Sequence, residues 1–310
     1  MKRFRKILFL AEGADKAVLH RALNIANEIG ADLTIMDVVK PITFEPADPD
    51  SMNTLRDLKG LMLQRRRDEL QKLHEAAADK RHAVKVAIEV RQGDISIEVL
   101  KAVTEERHDL VIKTQTGKIG RIQRIFGSTD LKLLRRCPCP IWIIKPTRRR
   151  HFARILAAVD PDPFDPASSA LNRLILDLAF SLARMEKSEL HVVHAWNLVE
   201  EAALQDGQIP QRDLDKLNEE MEAAHRHQVE ALLKHYPSQD HVMHLVWGRA
   251  EKAIPDLARE LSIDLIVMGT VARTGITGIF IGNTAEKILN NVDCSVLTVK
   301  PAGFKPPEVR

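Results

Sequence analysis

Apolar positions along the chain follow two alternating rhythms. Residues 6–11, 31–39, 154–159, 189–196, 241–247, 265–268 and 295–299 read as short strands, and 83–90 alternates strictly, with Val84, Val86, Ile88 and Val90 on one side. Between them the spacing becomes helical. Residues 16–29 carry Val18, Leu19, Ala22, Leu23, Ile25 and Ala26 ahead of a stop at Gly30, and 95–107 follow Asp94 as a candidate N-cap. Further helices are predicted at 52–78, 167–185, 214–236, 250–261 and 284–291. The proline-rich stretches 41–50 and 161–166 read as loops. Strands alternating with helices imply βαβ units and a parallel sheet covered on both faces. In such sheets a ligand sits at the carboxyl ends of the strands, where strand order reverses.

The pattern occurs twice. DLIVMGTVARTGITGIFIGNTAEKILNNVDCSVLTVKP at 264–301 answers DLVIKTQTGKIGRIQRIFGSTDLKLLRRCPCPIWIIKP at 109–146. Asp264 stands 155 residues after Asp109, Gly282 after Gly127, Lys300 after Lys145 and Gly248 after Gly93, all by the same offset. Near the amino end KILFLAE at 6–12 matches RILAAVD at 154–160, with an offset of 148 between Glu12 and Asp160. A repeat of this length sets the domain count at two. The boundaries fall at 1–147 and 152–303, on either side of the basic linker at 147–151. The last strand of each copy, at 140–145 and 295–300, is an apolar edge that needs covering, and the two are expected to pair within the chain as a built-in pseudo-dimer. A homodimer of such chains stays open.

Composition narrows the class. The chain of 310 residues is 45% apolar and 4% aromatic, which suits a soluble globular protein with two cores. The apolar run at 7–11 is too short for a signal peptide, and no stretch approaches the length of a membrane span, so a cytoplasmic location without membrane contact is expected. Residues 1–150 hold 30 Lys and Arg against 20 Asp and Glu, a net of +10; the rest hold 16 against 23, a net of −7. Eleven basic residues lie between Lys113 and Arg150 against Asp130 alone, and they read as a solvated helix face and a basic linker. Without interleaved aromatics or a DNA-binding motif, specific nucleic-acid binding is not expected. Cys137 and Cys139 stand too close for an easy disulfide and read as thiols buried at a strand start, in a reducing compartment. His191 and His194 fall on opposite sides of one strand, as do His241 and His244, while His225 and His227 do not converge on a helix; no metal site is expected from them.

The candidate chemistry lies in the glycine loops. Each leads into a helix, and a helix amino end offers unpaired N–H groups and a positive dipole to an anion. Glu12, Asp160 and the residues after Val38 and Ala195 lie at the same carboxyl ends. The strands, loops and repeat together resemble the universal stress protein family in its tandem-domain form, over nearly the whole chain. That resemblance implies two Rossmann-like α/β domains, each a five-stranded parallel sheet with helices on both faces. The nucleotide-binding branch of the family carries Gly-x2-Gly-x9-Gly-Ser/Thr, an acid ending the first strand that contacts the nucleoside, and backbone after the second strand that reads adenine.

Carried over, the resemblance marks Glu12, Val38, Gly117, Gly127, Ser128 and Thr129 in the first copy, with Thr114 where the first glycine belongs and Glu12 in place of the usual Asp. In the second it marks Asp160, Ala195, Gly269, Gly282, Asn283 and Thr284; Ala272 replaces the second glycine, and Asn283 stands where Ser or Thr is usual. The implied ligand is ATP or another adenine nucleotide, with no metal beyond a nucleotide-borne Mg2+. With no P-loop and no general base or nucleophile beside the loops, the first reading is a non-catalytic nucleotide-binding protein of the stress response, to starvation, oxidants or DNA damage, acting on a regulatory partner that the residues do not identify. A slow ATPase, and a scaffold or small-molecule carrier with decayed nucleotide motifs, stay open beside it.

Overall fold

The computed structural model describes residues 4–43, 49–115, 126–147, 151–162, 164–197, 211–237, 240–270, 281–301 and 304. They form two compact units that divide after Arg150. The first unit runs β1 (Lys6–Leu10), α1 (Lys16–Ile29), β2 (Asp32–Val39), α2 (Pro49–Ala77), β3 (Val86–Gln92), α3 (Ile95–Glu106), β4 (Leu110–Thr114), α4 (Ser128–Arg136) and β5 (Ile141–Ile144). Its strands pair in parallel in the order β3-β2-β1-β4-β5.

The second unit repeats this with β6 (Arg154–Ala158), α5 (Pro166–Glu186), β7 (Glu189–Trp196), α6 (Gln211–Leu233), β8 (Val242–Trp247), α7 (Ala250–Glu260), β9 (Leu265–Gly269), α8 (Asn283–Asn291) and β10 (Ser295–Val299). Its order is β8-β7-β6-β9-β10, again parallel. In each unit the order reverses between the first and fourth strands, β1 and β4 or β6 and β9, the place where parallel sheets open a crevice. Among the described residues no helix is long and apolar enough to cross a membrane.

Covering by helices on both faces explains the uninterrupted burial of β4, β5 and β10, while β3 and β8, at one end of each order, are half-buried. The expected strand at 83–90 begins later, at Val86, because Lys85 contributes only its carbonyl, to the Leu33 N–H at 2.9 Å. Helix starts follow their caps. The Asp15 carboxylate accepts from the Val18 N–H at 2.8 Å, and Asp94 accepts from Ser96 at 2.9 Å and Ile97 at 3.1 Å. Gly30 ends α1 at φ +71°, a left-handed conformation that suits glycine, whereas α5 ends on Lys187 at φ +58°.

The repeated Asp-Leu pair has a structural task. Asp109, just before β4, accepts from the N–H groups of Arg5 at 2.8 Å and Lys6 at 3.1 Å, which lead into β1. Asp264 does the same for Ala153 at 2.7 Å and Arg154 at 3.2 Å. In both units one carboxylate fastens the first strand to the fourth at the end opposite the crevice.

Candidate functional site

In the first unit the carboxyl end of β4 holds a charge that strand periodicity alone would not place there. Lys113 sits within the run LVIKT and is fully buried. Its Nζ is paired with Asp130, also fully buried, in the first turn of α4. The same Nζ lies 3.4 Å from Glu12 Oε2, just past β1. Asp130 Oδ2 in turn accepts the Gly127 N–H at 2.9 Å. The expectation that Lys113 belongs with a solvated basic face is therefore wrong: a cation in a strand covered on both faces leaves water only if it is paired, and Asp130 is its partner.

This arrangement bears on each residue marked in the first copy. Glu12 is 29% exposed and turned toward Lys113. Gly127 gives its N–H to Asp130, so a carboxylate already stands at the amino end of α4, where a phosphate would otherwise collect partial positive charge. Ser128 is exposed and Thr129 half-buried at that helix start. The Val38 N–H is bound by the Asp37 carboxylate at 2.8 Å, and Asp37 Oδ2 accepts from Arg66 Nε of α2 at 2.6 Å. Gly117 lies outside the described residues. Among the described residues an anion entering this crevice meets two carboxylates and one cation that they already neutralise, which fits a nucleotide poorly; Lys118, Arg121 and Arg124, which on charge make this copy the better phosphate binder in sequence, lie outside the described residues.

The second unit builds the same crevice with other chemistry. The 155-residue offset puts Met268 opposite Lys113 and Ala285 opposite Asp130, both buried apolar residues. Asp160 follows β6 as Glu12 follows β1. Its backbone is held by α5: the Asp160 N–H donates to Asn172 Oδ1 at 2.8 Å, and its carbonyl accepts from Asn172 Nδ2 and Ser168 Oγ, each at 2.9 Å. The carboxylate is 58% exposed, with His194 Nδ1 at 3.9 Å. Gly282 is buried, its N–H bound to the Thr270 carbonyl at 2.8 Å, and Asn283 and Thr284 are exposed at the start of α8. Among the described residues no side chain caps that helix at Gly282, and the acid of its first turn is Glu286, one position after the buried Ala285. Gly269 ends β9, and a Cβ there would meet Leu171 Cδ2 at 2.9 Å. Ala195 is half-buried near the carboxyl end of β7. Asp160, Gly269, Gly282, Asn283 and Thr284 thus share one crevice mouth without an internal counter-charge at the Met268 and Ala285 positions, and these residues fit an anionic ligand.

Beside Ala195 the strand-to-helix link also changes between copies. Asp37 and Arg66 join β2 to α2; in the second copy His194 joins β7 to α6, its Nε2 3.0 Å from His225 Nδ1 and its Nδ1 3.2 Å from the Val159 carbonyl. Burial pushes the His194 imidazole down to about 4 and lowers His225 as well. On the other face His191 Nδ1 lies 3.0 Å from His244 Nε2, and burial lowers both. The histidines that fail to converge within one element do converge across elements. Each such set is a pair, and among the described residues no group of three ligands could hold a metal.

Comparison with known proteins gives this architecture its relatives. The family model described as the universal stress protein family matches residues 3–145 and again 151–300. Universal stress protein E of Escherichia coli K12 is 29% identical over 302 residues, spanning 94% of this chain and 92% of its own. Universal stress protein E of Photorhabdus laumondii is 27% identical over 320 residues, spanning 99% and 98%. Among solved structures, a functionally unknown protein of Pseudomonas aeruginosa PAO1 superposes with a TM-score of 0.72 at 27% identity, covering 98% of this chain and 95% of that one. A universal stress protein of Archaeoglobus fulgidus, at 17% identity and a TM-score of 0.60 over 96% and 97% of the two chains, shares the fold.

Proposed function

The chain belongs to the universal stress protein family, a family of the stress response, and from that premise we propose that it is a non-catalytic stress protein that holds an adenine nucleotide in its second unit. The observation that carries the proposal is the substitution of Met268 and Ala285 for the buried pair of Lys113 and Asp130. It leaves Asp160 more than half exposed and, among the described residues, the amino end of α8 without a side-chain cap at one crevice mouth. In this reading the Asp160 carboxylate accepts from the ribose hydroxyls. Backbone near Ala195 meets the base, Gly269 and Gly282 let the chain come close to the phosphates, and the first-turn N–H groups with Asn283 and Thr284 bind phosphate oxygens. The first unit keeps its crevice filled by its own charges and serves as architecture. Holding a ligand without transforming it, the protein would report nucleotide level through a shift between two states of unequal affinity.

Isothermal titration of the full chain with ATP tests this. One ATP per chain is expected, without phosphate release. Asp160→Asn removes a charged acceptor worth about 1.5–3 kcal/mol, so affinity falls by roughly 10- to 100-fold. Glu12→Gln leaves the affinity unchanged. Two ATP per chain, a loss caused by Glu12→Gln and not by Asp160→Asn, or no binding at millimolar ATP would overturn the assignment.

A further inference from the structure

We propose that Cys137 and Cys139 are a peroxide-reactive dithiol that closes to an intrachain disulfide. The two sulfurs lie 3.5 Å apart. The repeat makes the pair specific to the first unit, since Cys139 stands opposite Cys294 at the 155-residue offset whereas Cys137 stands opposite Val292. Cys137 ends α4 with extended backbone, φ −66° and ψ 129°, and gives its N–H to the Leu133 carbonyl at 2.8 Å. Pro138 and Pro140 flank Cys139 and keep the joint out of helical conformation, so side chains two positions apart point the same way. The Pro140 carbonyl accepts the Val111 N–H at 3.0 Å, which ties the far side of the joint to β4. The expectation that these thiols stand too close to bond came from sequence spacing alone. The extended joint faces them toward each other, and a disulfide of about 2.05 Å needs only a small turn of the side chains.

The environment also assigns the roles. Cys137 is fully buried and sits at a helix carboxyl end, whose negative dipole disfavours a thiolate. Cys139 is partly exposed, beyond that end. The Cys139 thiolate attacks one oxygen of hydrogen peroxide or an alkyl hydroperoxide. The O–O bond breaks, and the departing hydroxide or alkoxide takes a proton to leave as water or alcohol. The Cys139 sulfenic acid is then attacked by the Cys137 sulfur: the S–S bond forms, the S–O bond breaks, and a second water leaves with the Cys137 proton. Two thiols are oxidised by two electrons and one peroxide is reduced by two. Cys294, a buried thiol of the second unit, serves as an internal comparison.

The test uses the reduced full chain. It is treated with hydrogen peroxide, unfolded in N-ethylmaleimide, and analysed by intact mass and peptide mapping. Expected is the loss of two alkylatable thiols to a 137–139 linkage that dithiothreitol reverses, while Cys294 is oxidised at least about tenfold more slowly. In Cys137→Ala the Cys139 sulfenic acid persists and is trapped by dimedone; in Cys139→Ala no such adduct forms at matched exposure. The proposal is overturned if the wild-type chain links between molecules, if Cys139 goes to sulfinic acid with Cys137 still free to alkylate, or if all three thiols react at one rate. Nucleotide binding enters none of these readouts, so the result stands apart from the assignment of the second unit.

Discussion

Replacing the buried pair of the first unit by the residues of the second gives a sharp test of how each crevice is held. Lys113→Met leaves Asp130, fully buried, with the Gly127 N–H but without its cation. An uncompensated buried charge costs about 3–5 kcal/mol. Asp130→Ala is milder, about 1–3 kcal/mol, because Lys113 Nζ retains Glu12 at 3.4 Å and Glu12 is partly solvated. The double substitution Lys113→Met with Asp130→Ala reproduces Met268 and Ala285, a combination that the second unit already packs in the same place. It removes the desolvation penalty together with the attraction, so its stability should lie within about 1 kcal/mol of the parent, or above it. The cycle then departs from additivity by at least about 3 kcal/mol. Two units need not share one two-state transition, so the readout is hydrogen exchange and mass spectrometry across a urea series, followed on peptides covering β4 and α4. A double variant as unstable as the two singles summed would refute the reasoning, since it would mean the charges act on separate parts of the fold.

Other outcomes follow from the same contrasts. With the folded His194 at about 4 and an unfolded value near 6.5, the unfolded chain binds the extra proton, so stability is complete above pH 6.5 and falls toward pH 4 by about 3 kcal/mol, with His225, His191 and His244 adding in the same direction. Exchange protection of α6, corrected for intrinsic rate, should therefore drop between pH 6.5 and 4.5 before that of α2, which Arg66 and Asp37 link to its strand; β2 itself carries the buried His108 on Thr34 and is expected to weaken in the same window, so equal loss in α6 and α2 would count against the histidine pairs as the cause. Gly269→Ala places a Cβ 2.9 Å from Leu171 Cδ2, the far end of a half-buried side chain that can turn away, and Thr114 occupies the matching position in the first unit. Its cost should stay under about 1 kcal/mol in a urea titration, with weaker ATP binding in calorimetry; a loss above roughly 3 kcal/mol would mean the glycine serves packing instead.

Much of the architecture was legible because it is written twice. The spacing of Asp109, Gly127 and Lys145 recurs at Asp264, Gly282 and Lys300, and the caps Asp94 and Gly30 mark helix ends by local chemistry. Lys113 was misread because its partner lies 17 residues away and only the fold brings them together. The signal was nonetheless present. A lysine inside an apolar strand of a doubly covered sheet must be neutralised, and Asp130 is the sole acid of an otherwise basic tract. The histidine pairs could not be found by periodicity within an element. His191 meets His244 because β7 and β8 pair with His191 opposite Val242, and His194 meets His225 because α6 packs on β7. For the dithiol, spacing suggested crowding, whereas backbone direction at Cys137 decides the contact.

The carboxylates of Asp109 and Asp264 impose an order on synthesis. The amide of Arg5 waits 104 residues for its acceptor, and that of Ala153 waits 111. On a ribosome adding about 5–20 residues each second, the leading strand of a nascent chain stays unfastened for roughly 5–20 s. Each half must therefore keep its opening strand from straying until about three-quarters of that half has been translated, and a chaperone that shields exposed apolar segments has its longest opportunity in that interval.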